Sequence, residues 1–377
     1  MVILNYLQMI RNYKFLLLFI FISCNTVYAS SSSSFLITKS AFNNYDFNKV
    51  LNQYNNEKLE KINDNLLDEL IAAVIKENLD LANNISKNIL SANPNNQEAR
   101  LLSMVQAAKD NSKDKIKSYR LDDKKNKNNL LEFLFFDGDT VKNNSQISNA
   151  FLDIVKSSYV NTDSDSPLNY NFLLFYTSLS IIIDERNFES IFIKGQLLQI
   201  IEKYFFAENT FLRIPKKSEY YLDSQINIAY NFFKENYYEN NEEKILKIIK
   251  NNDENYELTK ILADFYRIKK DYNKAIKIYS DLFKKNREDN WYIIYLRGIC
   301  YERSGDWEKA EIDFLKSLKL KKDSPDVLNY LAYGWIERDM KIEKSFEMLT
   351  EAYNANPDSY YILDSLAWAH YKKKNIR

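Results

Sequence analysis

The chain has 377 residues with 52 basic and 52 acidic side chains, so its balance of charge does not draw it as a whole to nucleic acid or acidic lipid. It holds only 5 Gly and 5 Pro, against average usage of roughly 7% and 5%. That is too few for a sheet protein with many tight turns and fits helices joined by short polar loops. With 45% hydrophobic and 28% charged residues it is able to bury one large core or several small ones.

Residues 1–29 read as an export signal. Arg11 and Lys14 precede the apolar run 15–22, and Val27-Tyr28-Ala29 places smaller residues, Val27 and Ala29, at the two positions a signal peptidase reads. Met9 is an alternative start that gives the leader a compact basic head. The apolar run is short of the roughly 20 residues a spanning helix needs. Two other readings stay open: a retained membrane anchor, and lipidation at Cys24, for which Ile22-Ser23-Cys24 is suitable but Phe21 is larger than usual. Residues 30–34, Ser-rich, read as a flexible spacer. Removal of the leader leaves Cys300 as the one thiol, hence no internal disulfide.

From Phe35 onward apolar residues recur at helical spacing with short polar breaks. Residues 35–56 form one predicted hairpin, its second helix opening at Phe47 and Val50. Residues 63–96 read as a worn helix pair packed through Ala73, Ala82 and Ile89 and closed by Pro94, and a helix follows over 96–110. The Lys-, Asp- and Asn-rich stretch 111–129 is expected as a solvated turn or frayed helix end. The apolar segment 130–136 is closed by the turn signal Asp137-Gly138-Asp139. Over 145–250 the helical rhythm persists without a repeat consensus, and 111–250 as a whole is expected as irregular helical hairpins. Long apolar helices are expected at 168–183 and 192–206, with polar loops at 161–167 and 213–218. These read as irregular hairpins, with a helical domain of another type as the alternative.

A period of 34 to 35 residues governs 256–377. Ala263, Gly298, Ala332 and Ala367 fall in step, as do Ala275, Ala310 and Ser345. Such a period marks a stacked helical array, here divided as 256–290, 291–324, 325–359 and an incomplete 360–377. Ending within that last unit, without a polar cap, the chain reads as a fragment or truncated product. Within 291–324, Ile294, Gly298 and Tyr301 share one helix face. Gly298 forfeits roughly 1 kcal/mol of helix propensity against alanine, which is tolerable where a second helix must approach closely, and Ala310 supplies the matching small surface. Ser304-Gly305-Asp306 makes the turn, Asp306 caps the next helix, and Trp307, Phe314 and Leu318 fill the space toward neighbours.

This pattern resembles the tetratricopeptide repeat (TPR) family. Gly298, Tyr301, Gly305-Asp306-Trp307, Ala310, Phe314 and Leu318 carry the likeness in the best unit. Leu262, Ala263, Tyr266, Tyr272, Ala275 and Tyr279 carry it before, then Leu331, Ala332, Ala352 and Pro357, then Leu366 and Ala367. The likeness is specific over 256–377 and weak over 35–110. The unit at 325 departs from it by an extra residue in its turn and by Ser345. The segment 325–374 is similar to exported TPR proteins of the Gram-negative envelope. The resemblance implies an all-α fold, a right-handed α-solenoid of stacked antiparallel helix hairpins (a TPR-like superhelix), with degenerate hairpins over 35–110.

It also implies a concave groove lined by the first helix of each unit. Carried over by position, the groove residues are Lys260, Asp264, Arg267, Tyr292, Tyr295, Ile299, Glu302, Asn329, Tyr333, Ile336, Asp364, Trp368 and Tyr371. Tyr and Trp there provide contact area at small entropic cost. For each of them, simple packing between hairpins is the alternative. A carboxylate clamp is not expected: Lys260 fits one, but Asp264, Leu296, Asp326 and Tyr330 occupy its other positions.

No spacing of His, Cys or carboxylates matches a zinc site, and no phosphate-binding glycine loop or serine nucleophile elbow is present. His370, the single histidine, reads as a packed or half-exposed helix residue, and Cys300 as a small buried thiol beside Gly298. The expectation is a non-enzymatic scaffold of the cell envelope, exported to the periplasm, with tethering to the outer membrane through Cys24 as an alternative, that binds proteins or peptides without metal or cofactor. It is expected to meet a membrane only through Cys24 or an uncleaved leader. The alternative is an accessory or fragment of an envelope enzyme system, its catalytic or carbohydrate-binding part within 111–250 or beyond Arg377.

Overall fold

The computed structural model describes residues 31–56, 65–123, 129–160, 168–233, 241–252, 255–285 and 290–375. The leader 1–29 with Cys24 and the whole 161–167 loop fall outside them. Helices fill almost all of the described residues, in two compact units, Met1–Ile214 and Pro215–Arg377. The division lies inside the stretch 111–250.

The first unit comprises α1 Ser31–Asn43, α2 Phe47–Asn56, α3 Leu66–Ile75, α4 Leu79–Ala92, α5 Gln97–Lys109, α6 Lys113–Asp123, α7 Asn129–Phe135, α8 Asn144–Val160, α9 Tyr170–Ile183, α10 Phe188–Ile200 and α11 Tyr204–Phe211. Between α7 and α8 the strands Phe136–Asp137 and Thr140–Val141 pair antiparallel around Gly138, whose φ is +57°. The second unit comprises α12 Tyr221–Asn231, α13 Asn241–Asn251, α14 Tyr256–Ile268, α15 Tyr272–Lys285, α16 Trp291–Arg303, α17 Trp307–Leu320, α18 Pro325–Glu337, α19 Ile342–Ala355 and α20 Tyr360–Asn375. Among the described residues no helix is long and apolar enough to cross a membrane.

Three local expectations change. Residues 31–34 open α1 instead of forming a spacer; serine is tolerated in a first turn more readily than mid-helix. The polar run 113–123 is helical because Ile116, 1% exposed, anchors it. The segment 192–206 is two helices, broken where Glu202 adopts φ +60°.

One turn recurs through both units. Tyr45, Glu77, Asn111, Glu202, Lys270, Gly305 and Asp339 are left-handed. In each case the next residue's N–H reaches back to a carbonyl of the helix just ended, at 2.8–2.9 Å, as Asn78 to Ala73 and Asp306 to Tyr301. This is the Schellman closure, which satisfies carbonyls the helix end leaves bare. In four of them the side chain of that next residue, Asp46, Asn78, Asp271 or Asp306, then accepts a backbone N–H of the following helix. A single Asp or Asn thus ends one helix and starts its partner. In the unit at 325 the extra residue is absorbed by a second left-handed position, Lys341 at φ +48°.

Between hairpins a different turn appears, with an extended residue ending the helix: Asn93, Asp184, Lys321 and Asn356. Because the two turns alternate, α10–α11 is a hairpin of the same kind as α16–α17. Gly195, Ala207 and Phe211 repeat the spacing of Gly298, Ala310 and Phe314. A Cβ on Gly298 would meet Phe314 Cε1 at 2.8 Å, and one on Gly195 would come closer still to Phe211. The glycines exist to admit those rings.

The units differ in how hairpins combine. In the second, substantial packing joins helices adjacent or next but one in sequence. Polar bonds such as Tyr266 to Glu242 (2.6 Å) and Trp335 Nε1 to Glu311 (2.7 Å) tie each hairpin to the next. In the first, α9 packs on α3 and α5 as well as on α8 and α10. Its residues 173–183 are all buried, as befits a helix surrounded by others. Lys194 of α10, 4% exposed, donates to Ile75 O at 2.8 Å and Glu77 Oε1 at 2.7 Å, locking α10 to the end of α3.

Candidate functional site: a tyrosine-lined recess

The first helices of the hairpins in the second unit line an open recess of about 550 Å³. From α14 comes Arg267; from α16, Tyr292, Tyr295, Leu296, Ile299 and Arg303; from α18, Asp326, Asn329, Tyr330 and Tyr333; from α20, Tyr361, Asp364 and Ser365. The helices place them there by repetition: Tyr292, Asp326 and Tyr361 stand at one offset, and Tyr295, Asn329 and Asp364 at another.

Tyr292, Tyr333 and Tyr361 are 42%, 39% and 40% exposed, whereas Tyr295 is 7%. Tyr295 packs edge-on against Tyr330 (5.5 Å between centroids) and lies 6.1 Å from both Tyr292 and Phe314. It is the floor. Burial, with nearby Tyr330 and Asp326, keeps its phenol protonated far above the usual range. Tyr361 donates to Asp326 Oδ1, and that bond raises its own pKa. Burial, then Glu337 and Asp364, raise that of Tyr333. Tyr295, Tyr333 and Tyr361 therefore act as neutral hydroxyls and apolar faces, with two Arg and two Asp among the remaining lining residues.

Of the residues expected in the groove, Arg267, Tyr292, Tyr295, Ile299, Asn329, Tyr333 and Asp364 line the recess. The other six do not. Ile336 is 0% exposed and belongs to the core, where an apolar side chain on the covered face of α18 is most stable. Asp264 is buried and accepts from Tyr279 (2.6 Å), which ties α14 to α15, and from Arg267 (3.2 Å) on its own helix, with Lys260 at 3.6 Å. Glu302 pairs with Arg303 at 3.3 Å. Trp368 donates to Glu337 at 2.6 Å and stacks on Tyr371, binding α20 to α18. Leu296, Arg303, Asp326, Tyr330, Tyr361 and Ser365 are the lining residues outside that prediction. Shifting Tyr292 by the repeat spacing reaches Asp326 and Tyr361, so the signal for those two was present.

Burial pushes the Cys300 thiol up to about 12, which leaves it without thiolate character. His370 is exposed and edge-on to Phe346 at 4.7 Å. Among the described residues no group of three or more His, Cys, Asp or Glu is placed to hold a metal ion.

No family model matches the chain. TPR repeat-containing protein PA4667 of Pseudomonas aeruginosa is 26% identical over 92 residues, which is 24% of this chain and 16% of that protein. The tetratricopeptide reading is thereby supported. The match reaches only a small part of the relative, whose activity and partners do not transfer. Among solved structures, the thermophilic TPR protein TTC0263 of Thermus thermophilus has a TM-score of 0.39 at 17% identity, covering 48% of this chain and 97% of that one. YrrB, a TPR protein with an unusual peptide-binding site, has a TM-score of 0.37 at 15% identity, covering 50% and 96%. At such low scores neither structure carries an argument about this recess. The helical hairpins and their shared turn stand on this chain's own geometry.

Proposed function

We propose that this chain is a non-enzymatic protein-binding scaffold whose tyrosine-lined recess accepts an extended segment of a partner protein. One observation carries the reading: three successive first helices each present a half-exposed tyrosine, Tyr292, Tyr333 and Tyr361, around one concavity. Tyrosines in a concave site give large contact area, a hydroxyl for the partner's backbone and small entropic loss. Asn329 lies among them, largely buried, adding a polar side chain to the lining. The mixed charge of Arg267, Arg303, Asp326 and Asp364 favours a polar rather than wholly apolar segment. We place the protein in the cell envelope, a reading supported by the basic-headed apolar leader at 1–29. Mass spectrometry of the N-terminus of the protein made in cells tests it: an intact leader would overturn export by cleavage.

The recess is tested with peptides selected by display against the full chain and measured by fluorescence anisotropy. Tyr292→Ala or Tyr333→Ala should weaken the selected peptide about tenfold, or about 1.4 kcal/mol. Tyr371→Ala, outside the lining, should change affinity less than about twofold. Equal losses at Tyr371 and Tyr333, or no loss at either, would overturn the assignment.

A further inference from the structure

A second recess, of about 260 Å³, lies wholly within the first unit, between the Tyr45–Asn48 turn, the end of α3 and the α10–α11 hairpin. Its volume is just under the roughly 300–1,000 Å³ of small-molecule sites. Four cations reach it, Lys76, Lys194, Lys203 and Arg213, against two carboxylates, Asp46 and Glu77. Both carboxylates are engaged. Glu77 Oε1 accepts from Lys194 (2.7 Å) and from Arg213 (2.8 Å) at once. Asp46 caps α2 through the Lys49 N–H. Lys76 and Lys203 have no carboxylate partner among the described residues, and Lys76 Nζ sits 4.2 Å above the Phe206 ring. Burial lowers the pKa of both Lys76 and Lys194, and at Lys194 the neighbouring Arg213 and Lys76 add repulsion. Half-buried positive charge of this kind is stabilised by an incoming anion. Ile75, Leu198 and Phe206 supply the apolar wall.

We propose that this recess binds a small organic anion, a carboxylate or phosphate carried on an apolar or aromatic body. The head would lie between Lys76, Lys203 and Arg213, and the body against Phe206 and Leu198. The inference is independent of the tyrosine recess, which belongs to the other unit.

The test is calorimetric titration of the full chain with phenyl phosphate, phenylacetate and neutral benzyl alcohol, at ionic strength matched with sodium chloride. At least one of the two anions should bind saturably and the alcohol should not; the stronger arm identifies the head group. The double variant Lys76→Gln, Lys203→Gln should weaken that binding by about tenfold or more. If the double variant melts early, Lys203→Gln alone carries the test, with about threefold weakening expected. Binding of neither anion, equal binding of the alcohol, or unchanged affinity in these variants would overturn the proposal.

Discussion

The two units use one hairpin and one turn but assemble them differently. In the second unit each hairpin rests mainly on its sequence neighbours, so its stability is close to a sum of local and nearest-neighbour contributions. In the first, α9 lies on α3 and α5, and Lys194 reaches Glu77 across 117 positions. Loops that long must close before such contacts reward the chain. Repeat geometry alone does not make a nearest-neighbour array; a single apolar helix able to face several others converts it into a closed unit. It also separates two kinds of recess, one open and tyrosine-lined along a row of parallel helices, the other a small basic recess beside a long-range clasp.

Substitution should cost most at that clasp. The side chain of Lys194 is 5% exposed, and Lys194→Met leaves the Ile75 carbonyl without its buried donor. The second unit has a counterpart in Arg297, which donates twice to Asp313 at 2.7 Å, their side chains 15% and 5% exposed. Losing one partner of a buried pair costs about 3–5 kcal/mol, so each variant should destabilise its unit by that order. The reach should differ. Hydrogen exchange by mass spectrometry should show Lys194→Met lowering protection across α3, α9 and α10, and Arg297→Met only in α16, α17 and their neighbours. Equal spread in both would break the distinction. The clasp also gives a pH dependence. Burial alone would raise the Glu77 carboxyl, but Lys194 and Arg213 together outweigh it and hold its pKa below 4.5. A carboxylate depressed on folding stabilises above its unfolded pKa, and that contribution disappears as pH falls through the folded value. Acidification below pH 4.5 should therefore loosen the first unit more in the native chain than in Glu77→Gln, read by the same exchange experiment.

Next in size are the glycines under Phe211 and Phe314. Alanine would gain about 1 kcal/mol of helix propensity and lose about 1–3 kcal/mol by overpacking. Gly195→Ala and Gly298→Ala should both come out destabilised in urea melts, by up to about 2 kcal/mol, with Gly195 the worse because its ring is nearer. A gain at Gly195 alone would mean that the first unit's hairpin is not packed as its counterpart is.

These glycines also show how much was legible in the chain. The period over 256–377 stands out because the small residue is followed three on by Tyr266 or Tyr301 and a turn with Asp271 or Asp306. At 188–211 the same offsets hold for Gly195, Ala207 and Phe211, but Leu198 replaces the tyrosine and Lys203 the capping aspartate, so consensus matching misses the hairpin while spacing finds it. The packing of α9 on α3 and α5 was not legible: the apolar run 173–183 says that the helix is buried and is silent about what buries it. The recess was legible in part. A helix face locates Tyr292, Asn329 and Tyr333, whereas Asp264 and Trp368 share that periodicity yet are taken up by Tyr279 and Glu337, partners that no one-helix projection supplies.

The smallest effect tests whether the turn is truly common to both units. A left-handed residue with a Cβ carries a strain of roughly 1–2 kcal/mol that glycine avoids. Glu202 and Lys270 hold that conformation at φ +60° and +63°, where Gly305 stands at φ +89° with nothing within 4 Å of a built Cβ. Glu202→Gly and Lys270→Gly should each stabilise their unit by about 0.5–1 kcal/mol, part of the gain being offset by the freer unfolded chain. Gly305→Ala should cost about 1 kcal/mol. Lys269→Gly is the control, because Lys269 is right-handed at φ −71°; glycine there should be neutral or destabilising by up to about 1 kcal/mol. Urea melting resolves differences of this size. A gain at Lys270 without one at Glu202 would mean that the first unit relieves its turn in some other way, and the kinship of the two units would then rest on helix spacing alone.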